Sequence, residues 1–213
     1  MFSVERYLSD YVRVLSHIDP GAIERLSQLL LNAWRNNRTV FCCGNGGSAA
    51  NACHVAADLA KLTAPARGRR LRVVALTESI ASITAIANDI SYDDIFVEQL
   101  RTFAAPNDVL LAFSTSGRSP NVLRAVEYAN AIAAVTVAVT GQEGVALRGL
   151  AQHTVSLHST SVQHVEDATM VLGHLLCLRT RELIAHESIE LPFRQRAAVP
   201  SDLRASDRSA VGG

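Results

Sequence analysis

The residues best suited to bind a ligand form a short glycine-rich stretch, Gly44-Asn45-Gly46-Gly47-Ser48. An apolar run precedes it at 40–43 and an alanine-rich helical pattern follows it, so we predict a strand, a tight loop and a helix. Such a loop offers closely spaced backbone N–H groups, the Ser48 hydroxyl and the positive end of a helix dipole. These groups together favour an anion such as a phosphate.

A second loop of the same kind lies further along the chain. The apolar run at 109–113 predicts a buried strand that ends in Ser114-Thr115-Ser116-Gly117-Arg118-Ser119, and a helical segment begins near Pro120. A serine before a helix most often caps that helix, but four hydroxyls exceed what one cap requires. Two hydroxyl-rich turns between strand and helix indicate one polar, phosphorylated ligand.

Strands and helices alternate around these loops, which favours an α/β fold with a parallel sheet covered on both faces. Two helices are predicted between Tyr7 and Asn36, separated by a break at Asp19-Pro20-Gly21. The five predicted strands lie near 39–43, 72–76, 109–113, 135–140 and 154–157.

Length and composition favour a single domain, because 48% of the 213 residues are hydrophobic and can form a sizeable core. We predict this domain over 1–191, with a helical segment at 1–37, and a disordered tail over 192–213. Cys42, Cys43, Cys53 and Cys177 show no C-x-x-C spacing and are expected to be free, buried thiols.

The charge balance, 20 basic against 20 acidic residues, does not favour nucleic acid or an anionic membrane as a partner. The N-terminus lacks the order of a signal peptide, and no apolar stretch has membrane-spanning length. We therefore expect a cytoplasmic protein.

The first loop formally matches the dinucleotide fingerprint as Gly44-x-Gly46-x-x-Ala49. That fingerprint requires an acidic residue about 20 positions further on, whereas the first acid after the second predicted strand is Glu78. The Lys-Ser/Thr pair of a nucleotide-binding P-loop is also absent. No nucleotide cofactor is expected.

Three motifs in register resemble the phosphoheptose isomerases, a branch of the sugar isomerase (SIS) fold. They are Gly44-Asn45-Gly46-Gly47-Ser48-Ala49-Ala50, then Ala87-Asn88-Asp89 before Tyr92-Asp93-Asp94-Ile95-Phe96, and then Ser114-Thr115-Ser116-Gly117-x-Ser119. The resemblance implies a three-layer αβα sandwich with a five-stranded parallel sheet, and a homotetramer with active sites at subunit interfaces. The implied reaction converts sedoheptulose 7-phosphate to D-glycero-D-manno-heptose 7-phosphate for heptose biosynthesis.

The resemblance also implies the substrate-binding positions. Ser48 joins them through its hydroxyl in the first loop, and Glu166 stands where the family has Gln. The other positions fall on Asn45, Gly46, Gly47, Asn88, Asp89, Ser114, Thr115, Ser116 and Ser119.

The catalytic positions depart from the family pattern. The family has a His and, four residues on, a catalytic Glu; here these positions hold His54 and Asp58, on one helical face. A His eight residues after the family Gln corresponds to His174. The resemblance therefore implies that Asp58 and His174 transfer the proton through an enediol. Asp is one methylene shorter than Glu, and a misplacement of about 1 Å can cost on the order of 100-fold in rate.

Two alternatives remain open for the family matches at Glu166 and His174. Gln163 also matches the family Gln, but Val171 rather than a His stands eight residues after it. The leucine-rich surroundings of His174 are typical of a histidine satisfied within a core.

Zinc is a further hypothesis, because some family members bind it at the positions of His54, Asp58, Glu166 and His174. Glu166 and His174 would be separated by about 12 Å along an ideal helix. One ion per subunit could contact both only through long side chains or a distorted helix start.

The predicted function is therefore an aldose–ketose sugar-phosphate isomerase. A non-catalytic relative that acts by protein contact, like the DnaA initiator-associating protein, is the alternative from another class. An isomerase or sensor for a different sugar phosphate is the third possibility.

Overall fold

The computed structural model describes residues 2–64 and 69–190, with side chains up to residue 188. Its centre is one five-stranded parallel sheet with the order β2-β1-β3-β4-β5. This confirms the predicted sheet, and each predicted strand end agrees to within one residue. The strands are β1 (Thr39–Cys43), β2 (Arg72–Ala75), β3 (Val109–Ser114), β4 (Val135–Gly141) and β5 (His153–Leu157).

Helices precede the sheet and connect its strands. The predicted break between the first two occurs where Asp19 accepts a hydrogen bond from the Gly21 N–H and Pro20 occupies the first helical position. The elements are α1 (Val4–Ser16), α2 (Pro20–Arg35), α3 (Gly47–Leu62), α4 (Ile80–Asp89), a 3-10 turn (Tyr92–Asp94), α5 (Val97–Phe103), α6 (Pro120–Ala131), α7 (Val145–Leu150) and α8 (Val162–Glu190).

Both faces of the sheet are covered, which confirms the three-layer sandwich. Val40 and Cys42 of β1 point into a core shared with α2, α3 and α8. Phe41 and Cys43 point into the opposite core, shared with α5, α6 and α7. Because successive strand residues alternate between faces, a continuous apolar strand supplies both cores.

The strand order places a switch point between β1 and β3. The chain leaves β1 toward β2 on one side, and β3 is followed by β4 and β5 on the other. In open α/β sheets the connections diverge at such a point and leave a crevice outside the carboxyl ends of the strands. Both glycine- and hydroxyl-rich loops begin at this crevice.

The cysteines are free, as predicted; three are buried, whereas Cys53 is only partly so. In the part of the chain that is described, no helix is long and apolar enough to cross a membrane. The predicted tail at 192–213 lies outside the described residues.

Candidate active site

The first loop is shaped by glycines that act in different ways. Gly46 has φ 54°, a conformation that L side chains rarely adopt, and it precedes the first residue of α3. A β-carbon on Gly44 would lie 2.7 Å from the carbonyl oxygen of Ser48 and 2.9 Å from that of Phe113. Close backbone approach therefore requires glycine at 44, and no side chain caps the first turn of α3.

The second loop is organised by its own hydroxyls. Ser114 Oγ accepts a hydrogen bond from the Gly117 N–H at 3.1 Å, and Ser116 Oγ accepts one from the Arg118 N–H at 3.3 Å. Ser119 occupies the N-cap position of α6, yet its side chain makes no capping hydrogen bond. Helix capping thus does not account for the Ser119 hydroxyl.

An amide pair joins the two loops across the crevice. Asn45 Nδ2 donates to Asn121 Oδ1 at 2.8 Å, and Asn121 Nδ2 donates to Asn45 Oδ1 at 2.9 Å. The Tyr92 hydroxyl also donates to Asn45 Oδ1, at 3.1 Å. The sequence predictions missed Asn121, whose only local signal is its place in the first turn of α6.

Asn88 and Asp89, also predicted to bind substrate, lie at the end of α4. Asn88 Nδ2 donates to Asp89 Oδ1 at 2.7 Å, and both residues are exposed. Among the described residues neither side chain hydrogen-bonds to the two loops, so their place in a binding site stays a prediction.

The structure brings His54, Asp58 and His174 together, although they come from two helices. Their nearest nitrogen and oxygen atoms all lie within 4.8 Å of one another. The two Nε2 atoms are 3.0 Å apart, and Asp58 Oδ2 lies 3.3 Å from His54 Nε2 and 3.7 Å from His174 Nε2. The histidine side chains are about half exposed, at 47% and 48%. His174 is therefore not a buried core histidine.

Close packing of α3 on α8 makes this cluster possible. A β-carbon on Gly173 would collide with Val55, so glycine at this position lets the two helices approach. The neighbouring residues in each helix are His174 and His54. Burial raises the pKa of the Cys177 thiol to about 11, and the charge of nearby Asp58 adds to the rise.

Glu166 does not belong to the His54, Asp58 and His174 cluster. Its carboxylate instead occupies the space that a β-carbon on Gly47 would take, beside the first turn of α3. A negative charge there interacts favourably with the helix dipole. The structure thus groups three of the four predicted metal ligands and places Glu166 with the first loop.

The loop and the cluster are separated within one chain. His54 and Asp58 follow Gly47 by seven and eleven residues along α3, which corresponds to about 10 and 16 Å. A compact site that uses both therefore needs a long ligand or a contribution from another chain.

Comparisons with known proteins show the family to which the chain belongs. A family model described as SIS domain matches residues 6–141, more than half of the chain. The phosphoheptose isomerase of Alteromonas mediterranea is 39% identical over 166 residues, which cover 76% of this chain and 83% of the relative. This chain belongs to the phosphoheptose isomerase family.

Other phosphoheptose isomerases extend the match. The one from Akkermansia muciniphila is 34% identical over 170 residues, covering 78% of this chain and 86% of the relative. The structure of phosphoheptose isomerase GmhA from Neisseria gonorrhoeae superposes with a TM-score of 0.78 at 28% identity. That superposition covers 84% of this chain and 97% of GmhA. The resemblance read from the three motifs is thereby confirmed.

Proposed function

We propose that the protein is an aldose–ketose isomerase that converts sedoheptulose 7-phosphate to D-glycero-D-manno-heptose 7-phosphate. The observation that supports it most directly is the approach of Asp58 to His174, at 3.7 Å, in a chain of the phosphoheptose isomerase family. A carboxylate and an imidazole at this separation can act on adjacent substrate atoms.

The reaction moves a proton between neighbouring carbons. A base removes a proton from C1 of the ketose while the C2 carbonyl oxygen takes up a proton, which gives an enediol. A proton is then returned to C2 while the C1 hydroxyl gives up its proton, which gives the aldose. Asp58 is assigned the removal and return of the proton on carbon. His174 is assigned the proton exchange at the two oxygens. Both side chains retain solvent access, so a substrate can reach them.

The two loops are assigned the phosphorylated end and the sugar hydroxyls. The loop from the end of β3 to the first turn of α6 carries Ser114, Thr115, Ser116 and Ser119, whose hydroxyls at the N-terminus of the helix can hold a phosphate without a lysine. Asn45, Gly46, Gly47 and Ser48 line the opposite side of the crevice. Asn88, Asp89 and Glu166 complete the proposed set.

The donor set of the cluster fits Zn²⁺. Two imidazole nitrogens and a carboxylate oxygen are the ligands of many zinc sites, and ligands of a tetrahedral ion lie about 3.4 Å apart. The observed separations of 3.0, 3.3 and 3.7 Å fall around this value. His54, Asp58 and His174 would hold the ion, which would supply a Lewis acid that polarises substrate oxygens in place of the proton exchange assigned to His174 in the metal-free protein.

The protein is further proposed to form a homotetramer with shared active sites. An apolar groove of about 730 Å³ between α1–α2 and α8 is lined by Ile18, Ile23 and Leu175 among others. Leu175 and Leu178 are 40% and 47% exposed, and Leu175 adjoins His174. A second copy seated on this groove would cover apolar surface beside the cluster and could bring its loops to it.

Incubation with sedoheptulose 7-phosphate, followed by NMR detection of the aldose, tests the function. Conversion at a rate that depends on enzyme concentration is expected. A folded preparation that is inactive with and without Zn²⁺ on several ketose phosphates would favour the non-catalytic relative instead. Activity on another ketose phosphate alone would favour the third possibility.

A further inference from the structure

Asn121 is one of the least exposed polar residues of the molecule, at 1% exposure, and every polar atom of its amide is used. Its Oδ1 accepts from Asn45 Nδ2 and from the Val122 backbone N–H at 2.9 Å, a donor that it shares with the Ser119 carbonyl at 3.1 Å. Because a backbone N–H can only donate, the atom facing it must be the oxygen. The Asn121 amide is therefore held in one orientation by the backbone of α6.

This orientation determines that of Asn45. The Asn121 Nδ2 group can only donate, so the atom of Asn45 that it meets must be Oδ1. That oxygen receives a second hydrogen bond from Tyr92, and its two lone pairs are then occupied. Asn45 keeps one N–H, which makes no hydrogen bond to any described residue.

The same reasoning applies to Tyr92. Asn45 Oδ1 can only accept, so the Tyr92 hydroxyl must use its single hydrogen in this bond. The phenolic oxygen retains lone pairs for a ligand, and the Tyr92 side chain is accessible because the residue is 56% exposed. A donor on Asn45 and an acceptor on Tyr92 thus stand side by side at the crevice between the loops.

We propose that Asn45 and Tyr92 together bind the hydroxylated chain of the sugar phosphate, and that Asn121 is the positioning residue that sets their donor and acceptor directions. An oxygen that accepts from Asn45 and a neighbouring hydroxyl that donates to Tyr92 match two adjacent hydroxyl groups of a polyol. This inference rests on the proposed function for the identity of the substrate. It adds Tyr92 to the predicted binding set and Asn121 as the residue that positions Asn45 and, through it, Tyr92.

Asn121→Asp tests the proposal, because the carboxylate still accepts from Val122 but has no N–H for Asn45 Oδ1. The Asn45 amide must then turn over. This takes its free N–H away from the crevice and its Oδ1 away from the Tyr92 hydroxyl. We expect an increase in KM and in the calorimetric Kd for sedoheptulose 7-phosphate of about tenfold or more. The value of kcat should change by less than about threefold, because Asp58 and His174 are not touched.

Asn130→Asp is the matched control on the same helix. Asn130 Nδ2 donates to the Leu150 carbonyl, and its Oδ1 accepts from Thr136, so the same substitution breaks an interior hydrogen bond away from the crevice. This variant should keep the Kd of the parent. The carboxylate introduced at 121 lies in the first turn of α6, beside the proposed phosphate site, so inorganic phosphate should inhibit Asn121→Asp more weakly than the parent. Because phosphate lacks the hydroxylated chain, this loss should be a smaller factor than the increase in Kd for sedoheptulose 7-phosphate.

Tyr92→Phe is the second test of the proposal. It should raise the Kd by itself, and the double variant with Asn121→Asp should lose less than the product of the two single effects, since both act through Asn45. Three results would overturn the proposal. They are single effects on Kd that simply multiply in the double variant, an unchanged Kd in Asn121→Asp, and a loss of phosphate affinity as large as the loss of affinity for sedoheptulose 7-phosphate.

Calorimetric titration of the parent distinguishes a failure of this binding proposal from a failure of the proposed reaction. A parent that binds sedoheptulose 7-phosphate without converting it contradicts the reaction alone. A parent that binds inorganic phosphate but no ketose phosphate contradicts both.

Discussion

At the scale of single residues, Asp58 is the departure from the family pattern with the greatest consequence. Its carboxylate is one methylene shorter than the family Glu, yet Oδ2 lies 3.3 Å from His54 and 3.7 Å from His174. The shorter side chain therefore still reaches both imidazoles. The close packing at Gly173 contributes to this reach by bringing α8 toward α3.

Asp58→Asn should abolish most turnover while substrate affinity largely survives. The amide keeps the size of the side chain but cannot take up a proton, and a general acid–base group typically contributes about 100- to 10,000-fold. Steady-state kinetics with sedoheptulose 7-phosphate measures the change. Asp167→Asn is the control, because Asp167 pairs with the Tyr7 hydroxyl rather than with the cluster. Parental kcat in Asp58→Asn would show that another group is the base.

Zinc binding should depend on His174. Calorimetric titration of the metal-free parent is expected to give one ion per chain, and His174→Ala should weaken it at least tenfold, because a ligand of the ion is lost. His153→Ala, on β5, is the control and should bind like the parent. Equal affinity in His174→Ala would remove this residue from the metal site.

At the scale of elements, the start of α3 meets α8 where Glu166 lies against Gly47. No cap side chain satisfies the first turn of α3, so this carboxylate is the charged group placed there. Asn51 Nδ2 also donates to the Glu166 carbonyl at 2.9 Å, which holds the two helices in register. These two contacts connect α8 to the start of α3.

Gly47→Ala should displace the Glu166 side chain and weaken substrate binding, because the added methyl would overlap the carboxylate. The colliding atoms are the far end of the flexible Glu166 side chain, which can turn aside, so the expected loss of stability is at most about 1 kcal/mol. The Kd for sedoheptulose 7-phosphate should be higher. Chemical denaturation and calorimetry measure the two effects.

Two further variants test whether the collision with Glu166 causes the loss of stability in Gly47→Ala. Gly149→Ala places its methyl in open space within α7 and should stabilise the fold by about 0.5 to 1 kcal/mol. Adding Glu166→Ala to Gly47→Ala should recover part of the lost stability. Without such recovery, the collision with Glu166 is not the reason for the loss.

At the scale of the whole molecule, the groove between α1–α2 and α8 is the surface proposed to contact another copy. Charged residues border its apolar floor, and Arg179 pairs there with Glu24 at 2.9 Å and Glu182 at 2.7 Å. An apolar centre with a charged border is typical of a protein interface.

Leu178→Glu should dissociate the oligomer, because a charge would be buried at the centre of the contact. Sedimentation at micromolar concentration should give a tetramer for the parent and smaller species for the variant. Val145→Glu, also an exposed apolar position but on α7, should sediment like the parent. A parent that sediments as a 22.9 kDa monomer would contradict the shared-site arrangement.

Local patterns in the sequence were sufficient to predict the strands, the break before Pro20 and the two loops. Apolar runs, glycines and caps act over a few neighbouring residues, so their effect can be read without knowing the fold. The same patterns imply a parallel sheet. The order of its strands, however, came only from the structure.

The contacts that complete the candidate site join residues far apart in the chain. Asn45 and Asn121 are separated by 76 positions, and His54 and His174 by 120. Their meeting depends on how closely α3, α6 and α8 pack on the sheet, and each of these distances results from many side chains at once. Local sequence patterns therefore indicated which loops could bind a phosphorylated ligand, and the family resemblance implied that this ligand is a sugar phosphate. Tertiary packing decided that Glu166 lies with Gly47 and that His54, Asp58 and His174 form one cluster.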